Sequence, residues 1–407
     1  MPQQPIIETF TDHDGTLKLS VSQINVSLIN AVRRTILSDI PTFCFRTLPH
    51  SENRVQITAN TTRLNNEIIK QRMGCIPIHL KANDPDFEHF NVEDYRVVLD
   101  VQNTGTENQY ATTKDFRMVN AKTGKELSES VVRRIFPPDA ITGGYILIAR
   151  LIPRLTQFVE GERLAITAEI GVGTARMDGM YNVVSTCAYR ATPNVEEADK
   201  VWAECAKKLE RDGNDAAYIA SEKKNWYSME ALRYTKPDSF EMTIESIGVY
   251  SNTEIFTKAC LIMIEKCKKM ISDIENASGD VDITTSDTTL SNGFDITMQN
   301  EDYTLGKCIE HFLHANHYMG SKTISFCGFR KNHPHDTHSI IRVAFHAATD
   351  VDIVHNYLIQ AARDSAAVFE SLISQIHRWF GDFGDLILLV FNFWFGFKSK
   401  FKQRIHF

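Results

Sequence analysis

Two long stretches of this chain carry apolar seams that cannot be left in water. In the first, from about Thr253 to Ala277, Phe256, Cys260, Met263, Cys267 and Met270 alternate four and three residues apart. In the second, from Asp350 to about His377, Val351, Val354, Leu358, Ala361, Ser365, Val368 and Leu372 alternate three and four apart. That spacing averages 3.5 residues and keeps one narrow apolar face toward a partner helix. A helix with such a seam has to find a partner, and here each seam can serve the other. Asp350 is an N-cap type and fits the start of the second helix.

A shorter helix is written in "INVSLINAVRRTILSDIPT", Ile24 to Thr42. Leu28, Val32, Ile36 and Ile40 recur every four residues and stack as one stripe. Arg33 and Arg34 flank the stripe instead of opposing it. Pro41 lacks an N–H and disfavours helical geometry at Ile40, so the helix ends there. Taken alone, this is an amphipathic core helix with a snorkelling basic rim.

The rest of the chain sets the scale. Its 407 residues fill about two to three domains with cores of their own. A net charge of −7 argues against gripping nucleic acid by its phosphates, so any role near DNA is indirect. The eight cysteines are scattered with no Cys-x-x-Cys pair, which fits buried thiols in a reducing compartment. "MPQQPIIETFTDHDG" has neither the basic nor the apolar region of a signal peptide, and an intracellular location is expected.

Residues 16–23 alternate as a strand leading into the short helix, and 43–48 and 53–59 follow as strands. Residues 61–80 read as a helix ending at Met73-Gly74, with Gly74 as C-cap and Pro77 beyond. From 95 to 190 the pattern is strand-like; 191–237 is helical and charged; 240–248 returns to strand. Residues 276–293 are polar and unperiodic, and 281–293 reads as the linker between the two units. A strand (294–299), a helix (303–315), two strands (322–328 and 338–347) and the second long helix complete a smaller unit.

Four motifs in order give these elements a resemblance. Asn30, Arg33, Arg34, Ile40, Pro41 and Thr42, then Leu64, Asn66, Glu67, Ile68, Arg72, Gly74, Ile76, Pro77 and Ile78, resemble the first domain of the archaeal D and eukaryotic third-largest RNA polymerase subunits. "ATTKDF" (111–116) resembles that family's Ser/Thr-Lys/Arg-Asp strand, and "EIGVGTARMDGMYNVVSTCAYR" (169–190) its Gly-x-Gly, basic, aromatic pattern. "SFEMTIESIGVYSNTEIFTKA" (239–259) resembles the return strand and helix. In the smaller unit, "NEDYTLGKCIEHFL" (300–313) and "ISFCGFRKNHPHDTHSIIRVAF" (324–345) resemble the partner subunit, archaeal L or eukaryotic eleventh. Tyr303 and Lys307 depart from that family's usual His and Asn.

The resemblance implies an α+β chain in which two partner subunits, bacterial α-like, are fused. A discontinuous dimerisation domain (1–50 and 238–280) would be interrupted by an inserted, mostly β domain (51–237), with a second dimerisation unit at 294–377. It implies a non-catalytic assembly platform for the two largest polymerase subunits and small assembly subunits, with no cofactor and no metal. The implied dimerisation and assembly residues are Leu28, Asn30, Val32, Arg33, Arg34, Ile36, Pro41, Glu67, Arg72, Phe256, Met263, Thr304, Leu305, Gly306, Val354 and Leu358. The arginines are expected where the large subunits dock. Fusion suggests a large DNA virus, hence host cytoplasm or virion, with the nucleus as the other expectation.

Competing signals are weaker. Gly171-x-Gly173 follows a strand but lacks a third glycine and Gly-Lys-Ser/Thr, and reads as a tight turn. His311, His314 and His317, with His333, His335 and His338, support an alternative reading as a metal-dependent hydrolase, though none stands in a His-Glu-x-x-His register. Between Cys75 and Cys187 there is no cysteine for the metal loop that some relatives carry. In the tail (378–407), Leu386 to Phe397 is twelve apolar-rich residues, short of the roughly 20 that span a bilayer. Packing on a partner, or no shared function, is expected for it ahead of a membrane role.

Overall fold

The computed structural model describes residues 4–80, 91–154, 156 and 160–380. Within them the chain divides into two compact units. The first holds residues 4–36, Thr186–Glu245 and 252–380; the second holds Leu37–Ser185 with Ser246–Ser251.

The chain opens with a hairpin, β1 (Ile6–His13) and β2 (Thr16–Ser22), then α1 (Val26–Ser38). Asp14 and Gly15 turn the hairpin at φ of 51° and 73°, the left-handed pair that an Asp-Gly loop supplies. The second unit follows: β3 (Thr42–Phe45), β4 (Val55–Asn60), α2 (Asn66–Gly74), β5 (Tyr95–Gln102), β6 (Gln109–Thr112), β7 (Arg117–Asn120), α3 (Glu129–Ile135), β8 (Leu147–Leu151) and β9 (Arg163–Gly173). Its five-stranded sheet runs β3-β9-β5-β7 with β4 also on β9, beside a β6–β8 pair. Phe45, Leu99, Phe116, Phe136 and Ile166 anchor its core, where the Phe116 and Phe136 rings meet edge-on at 4.9 Å.

The chain continues with β10 (Val184–Pro193), α4 (Val195–Arg211), α5 (Ala216–Ser228), β11 (Thr235–Ser246) and α6 (Asn252–Glu275). It ends with β12 (Val281–Thr285), β13 (Gly293–Gln299), α7 (Tyr303–Leu313), β14 (Ile324–Arg330), β15 (His338–Phe345) and α8 (Val351–Phe380).

The first unit contains one plan twice. Its two antiparallel sheets run β1-β2-β11-β10 and β12-β13-β15-β14. Each begins with a hairpin, leads from its second strand into a short helix (α1 or α7), and ends in a long helix after the strand that returns beside that second strand (α6 or α8). Registers agree as well. Leu19 faces Met242 in the first sheet and Ile296 faces Ile341 in the second, and all four are buried. The halves are held together by α6 against α8. α8 also reaches β1, where Gln375 accepts the Ile7 amide at 2.9 Å and donates to the Pro5 carbonyl at 2.7 Å.

Several expectations change. The compact second unit begins at Leu37, not residue 51, and Thr186–Glu245 falls in the first unit because β10 pairs with β11. The supposed linker 281–293 holds β12, an edge strand on β13, and the Ser286 amide donates to Gly293 O at 2.8 Å. Residues 276–280 alone connect α6 to β12. Gly171 and Gly173 lie within β9, not in a turn. A Cβ on Gly173 would stand 2.7 Å from the Tyr181 ring and 2.9 Å from Cys44 Sγ, so close approach explains that glycine. Gly74 ends α2 without a left-handed φ; its Cβ would meet Met180 Sδ, and Cys75 is the cap. Val351 is 40% exposed and stands outside the α8 seam. The tail from residue 381 lies outside the described residues.

Candidate assembly interface

α1 begins where Asn25 Oδ1 accepts the Ser27 amide at 2.9 Å, a side-chain cap on a helix start. Its apolar positions are met by burial: Leu28, Ile29, Val32 and Ile36 are each 2% exposed or less. α7 begins the same way. Asp302 Oδ1 accepts the Thr304 amide at 2.8 Å, and Thr304, Leu305 and Gly306 are buried behind it. Gly306 is required by packing: an added Cβ would sit 2.0 Å from the Phe329 ring, which itself meets Tyr303 edge-on at 4.9 Å.

The two adjacent arginines divide. Arg33 donates from Nε and Nη2 to Asn30 Oδ1 at 3.1 and 3.0 Å, within its own helix. Arg34 reaches α7, donating Nε to Thr304 Oγ1 at 2.9 Å and Nη2 to Asp302 Oδ2 at 3.0 Å. It is therefore engaged inside the unit while its side chain stays 36% exposed. Cys308 Sγ lies 3.8 Å from Ser27 O, so α1 and α7 touch near both helix starts.

The seam of the long helices is deeply buried. Phe256, Met263 and Leu358 are fully covered, and Val354 is 1% exposed. Burial pushes the Cys267 thiol up to about 12, and Cys260 and Cys308 are raised by the same cause. These thiols are therefore unreactive packing groups. Two polar groups in α8 are satisfied locally: Ser365 Oγ donates to Ala361 O at 2.8 Å, and Asp364 accepts from Asn316 and Gln360, each at 2.8 Å. Removing either partner would leave a buried group unmatched.

Leu28, Asn30, Val32, Arg33, Arg34, Ile36, Phe256, Met263, Thr304, Leu305, Gly306, Val354 and Leu358 thus share the first unit. Pro41, Glu67 and Arg72 belong to the second. There Pro41 O accepts the Tyr250 hydroxyl at 3.0 Å, Arg72 donates to Ile148 O at 2.8 Å, and Glu67 is exposed in the first turn of α2. Asp302 is the interface residue that sequence reading missed. Its signal was present, because Asp302-x-Thr304-Leu305 repeats the Asn25-x-Ser27-Leu28 spacing.

Other chemistry finds little support. Burial lowers the affinity of His311 and His317 for protons, and the His317 ring stacks on Tyr357 at 3.6 Å. Among the described residues no group of three or more His, Cys, Asp or Glu converges as metal ligands, and no helix is long and apolar enough to cross a membrane.

The sequence of the chain is similar to those of known proteins. A sequence model described as the RNA polymerase Rpb3/Rpb11 dimerisation domain matches residues 18–267. The DNA-directed RNA polymerases I and III subunit RPAC1 of Bos taurus is 24% identical over 311 residues, covering 64% of this chain and 82% of that protein. RPAC1 of Saccharomyces cerevisiae is 23% identical, covering 60% and 80%. The DNA-directed RNA polymerase subunit Rpo3 of Pyrococcus horikoshii is 23% identical over 278 residues, covering 65% of this chain and 96% of that protein. With more than half of its length matched, this chain belongs to the RNA polymerase Rpb3/Rpb11 dimerisation-domain family.

Proposed function

We propose that this chain is a non-catalytic subunit of a multisubunit DNA-dependent RNA polymerase, and that it does alone what two partner subunits do elsewhere. The observation that carries the reading is the doubled plan of the first unit, with α6 against α8 and α1 touching α7. The family match ends at residue 267, within α6, so the fused reading of the second half rests on that repetition and on the 300–345 motifs. Its work is to present one composite surface to the two largest subunits, with nucleic acid reached only through the complex. Fusion through residues 276–280 replaces a bimolecular encounter by docking at an effective concentration on the order of millimolar. A fused subunit of this kind suits a large DNA virus transcribing in its host's cytoplasm.

The test is to place a protease site between Ser278 and Gly279 and cut the folded chain. Because β12 pairs with β13, a cut at 286–291 would split the second sheet itself. The fragments are expected to co-elute; separation into two soluble, folded monomers would refute the two-halves reading. The intact chain is also expected neither to polymerise nor to hydrolyse nucleotides, and metal-dependent turnover lost on changing His311 or His335 would favour the hydrolase reading.

A further inference from the structure

α1 and α7 occupy equivalent places in the doubled plan, and their sequences align without a gap. Asn25, Ser27, Leu28 and Val32 stand where Asp302, Thr304, Leu305 and Ile309 stand, which sets Arg34 against His311. The contacts follow the same exchange. Arg34 of α1 holds the start of α7 through Asp302 and Thr304, while Cys308 of α7 lies on Ser27 at the start of α1. His311 senses Asp238, whose carbonyl accepts the Ile24 amide at 3.1 Å just before α1.

The equivalent positions are thus chemically unequal. If two first halves from different chains paired in this geometry, each Arg34 would meet Asn25 and Ser27, with no carboxylate at the helix cap and only the electrostatic influence of Asp238 that His311 has here. If two second halves paired, each Asp302 would meet His311, a half-buried imidazole that burial holds below its ordinary proton affinity. Only the crossed arrangement sets a guanidinium on a helix-capping carboxylate. Arg34 also uses two of its donors on two different acceptors, a demand of direction as well as charge.

We propose that Arg34 and Asp302 form a selectivity element that makes the first half pair with the second and not with a copy of itself. A difference between right and wrong partners needs an attraction that the wrong pair lacks, and this pair supplies one. The proposal rests on the two-halves reading above. Asp302 serves both roles at once, with Oδ1 on the Thr304 amide and Oδ2 on Arg34. The two roles are separable, because asparagine caps a helix as well as aspartate does but carries no charge.

The experiment uses the full chain cut between Ser278 and Gly279, prepared with two different tags on the N-terminal fragment and mixed to equilibrium. Capture on one tag reports crossed pairs by the C-terminal fragment and like-with-like pairs by the other tag. The unsubstituted cut chain is expected to give crossed pairs almost exclusively. Arg34→Gln and Asp302→Asn are each expected to lower the ratio of crossed to like pairs roughly tenfold, since the pair is charge-assisted but partly open to solvent. The double variant is expected to be no worse than either single one. Melting of each uncut variant separates loss of pairing from loss of fold, and Arg34→Lys, which keeps the charge, is expected to fall between. Unchanged ratios in both folded single variants, or simple additivity in the double, would overturn the proposal while leaving the two-halves reading intact. Separation of the unsubstituted fragments as folded monomers would overturn the reading beneath it.

Discussion

The two halves of the first unit solve the same packing problem with different residues. At the fourth position after the cap residue the first half has none of the crowding of the second: Ser27-Leu28-Ile29 places a buried isoleucine where Thr304-Leu305-Gly306 leaves room for the Phe329 ring. On the sheets, Lys18 faces Thr243 in the first half, whereas Asp295 faces Arg342 in the second. The Asp295–Arg342 pair is bidentate, with both contacts at 2.6 Å. The inward registers are alike and the outward and capping positions differ. A shared plan is therefore fixed by apolar spacing, and the identity of each half is written at the few polar sites around it.

The largest effect expected is at the shared seam. Leu358→Ala and Met263→Ala should each cost about 3 kcal/mol, as buried side chains replaced by a cavity do. Denaturant unfolding of the uncut chain measures this. A cost confined to one half's signal would break the view that the seam is common to both. Next is the site where the halves differ most. Gly306→Ala should destabilise by about 1–2 kcal/mol, because the Phe329 ring must move, although alanine favours the helix. Ile29→Ala should instead cost about 3 kcal/mol through a cavity. Adding Phe329→Ala is expected to relieve the Gly306 variant and to leave the Ile29 variant unrelieved.

How much of this was legible follows from the same contrast. The seams of α6 and α8 and the Leu28-Val32-Ile36 stripe of α1 could be read because burial imposes a local period, although α1 ends at Ser38, short of Ile40 and Pro41. β1 escaped notice because only Ile7 of its eight residues is buried, so it has no alternation to read. The Asp14-Gly15 turn was the missed signal. β12 is a polar edge strand that exists through its pairing with β13, a tertiary fact. Arg34 was legible as a residue of interest but not by its partner, since Asp302 lies 268 positions away.

The ion pair on the second sheet offers a smaller and pH-dependent test. Arg342 holds the Asp295 carboxyl below its ordinary proton affinity. Its folded pKa is thus lower than its unfolded one, and its stabilisation is complete above the unfolded value of about 3.9. It is lost as pH falls through the lower folded value. The melting difference between the parent and Asp295→Asn should be constant near neutrality and shrink in acid. A Lys18→Gln change in the first half should show no such trend.

Smallest in stability is Arg33→Ala, at no more than about 0.5 kcal/mol, because its bond to Asn30 is local and partly exposed. Under the proposed function its cost falls on binding. Capture of the two largest polymerase subunits by the variant should weaken by an order of magnitude or more, as for an interface arginine of about 2 kcal/mol. Unchanged capture would make it a solvated rim residue.

The central claim is that one chain takes the place of two partner subunits. Purifying the native polymerase through a tag on this chain and counting its subunits by mass measurement tests that claim most directly. The account predicts one copy of this chain with the two largest subunits and no separate small dimerisation subunit. Two copies of this chain, or a separate small dimerisation partner seated beside it, would contradict it.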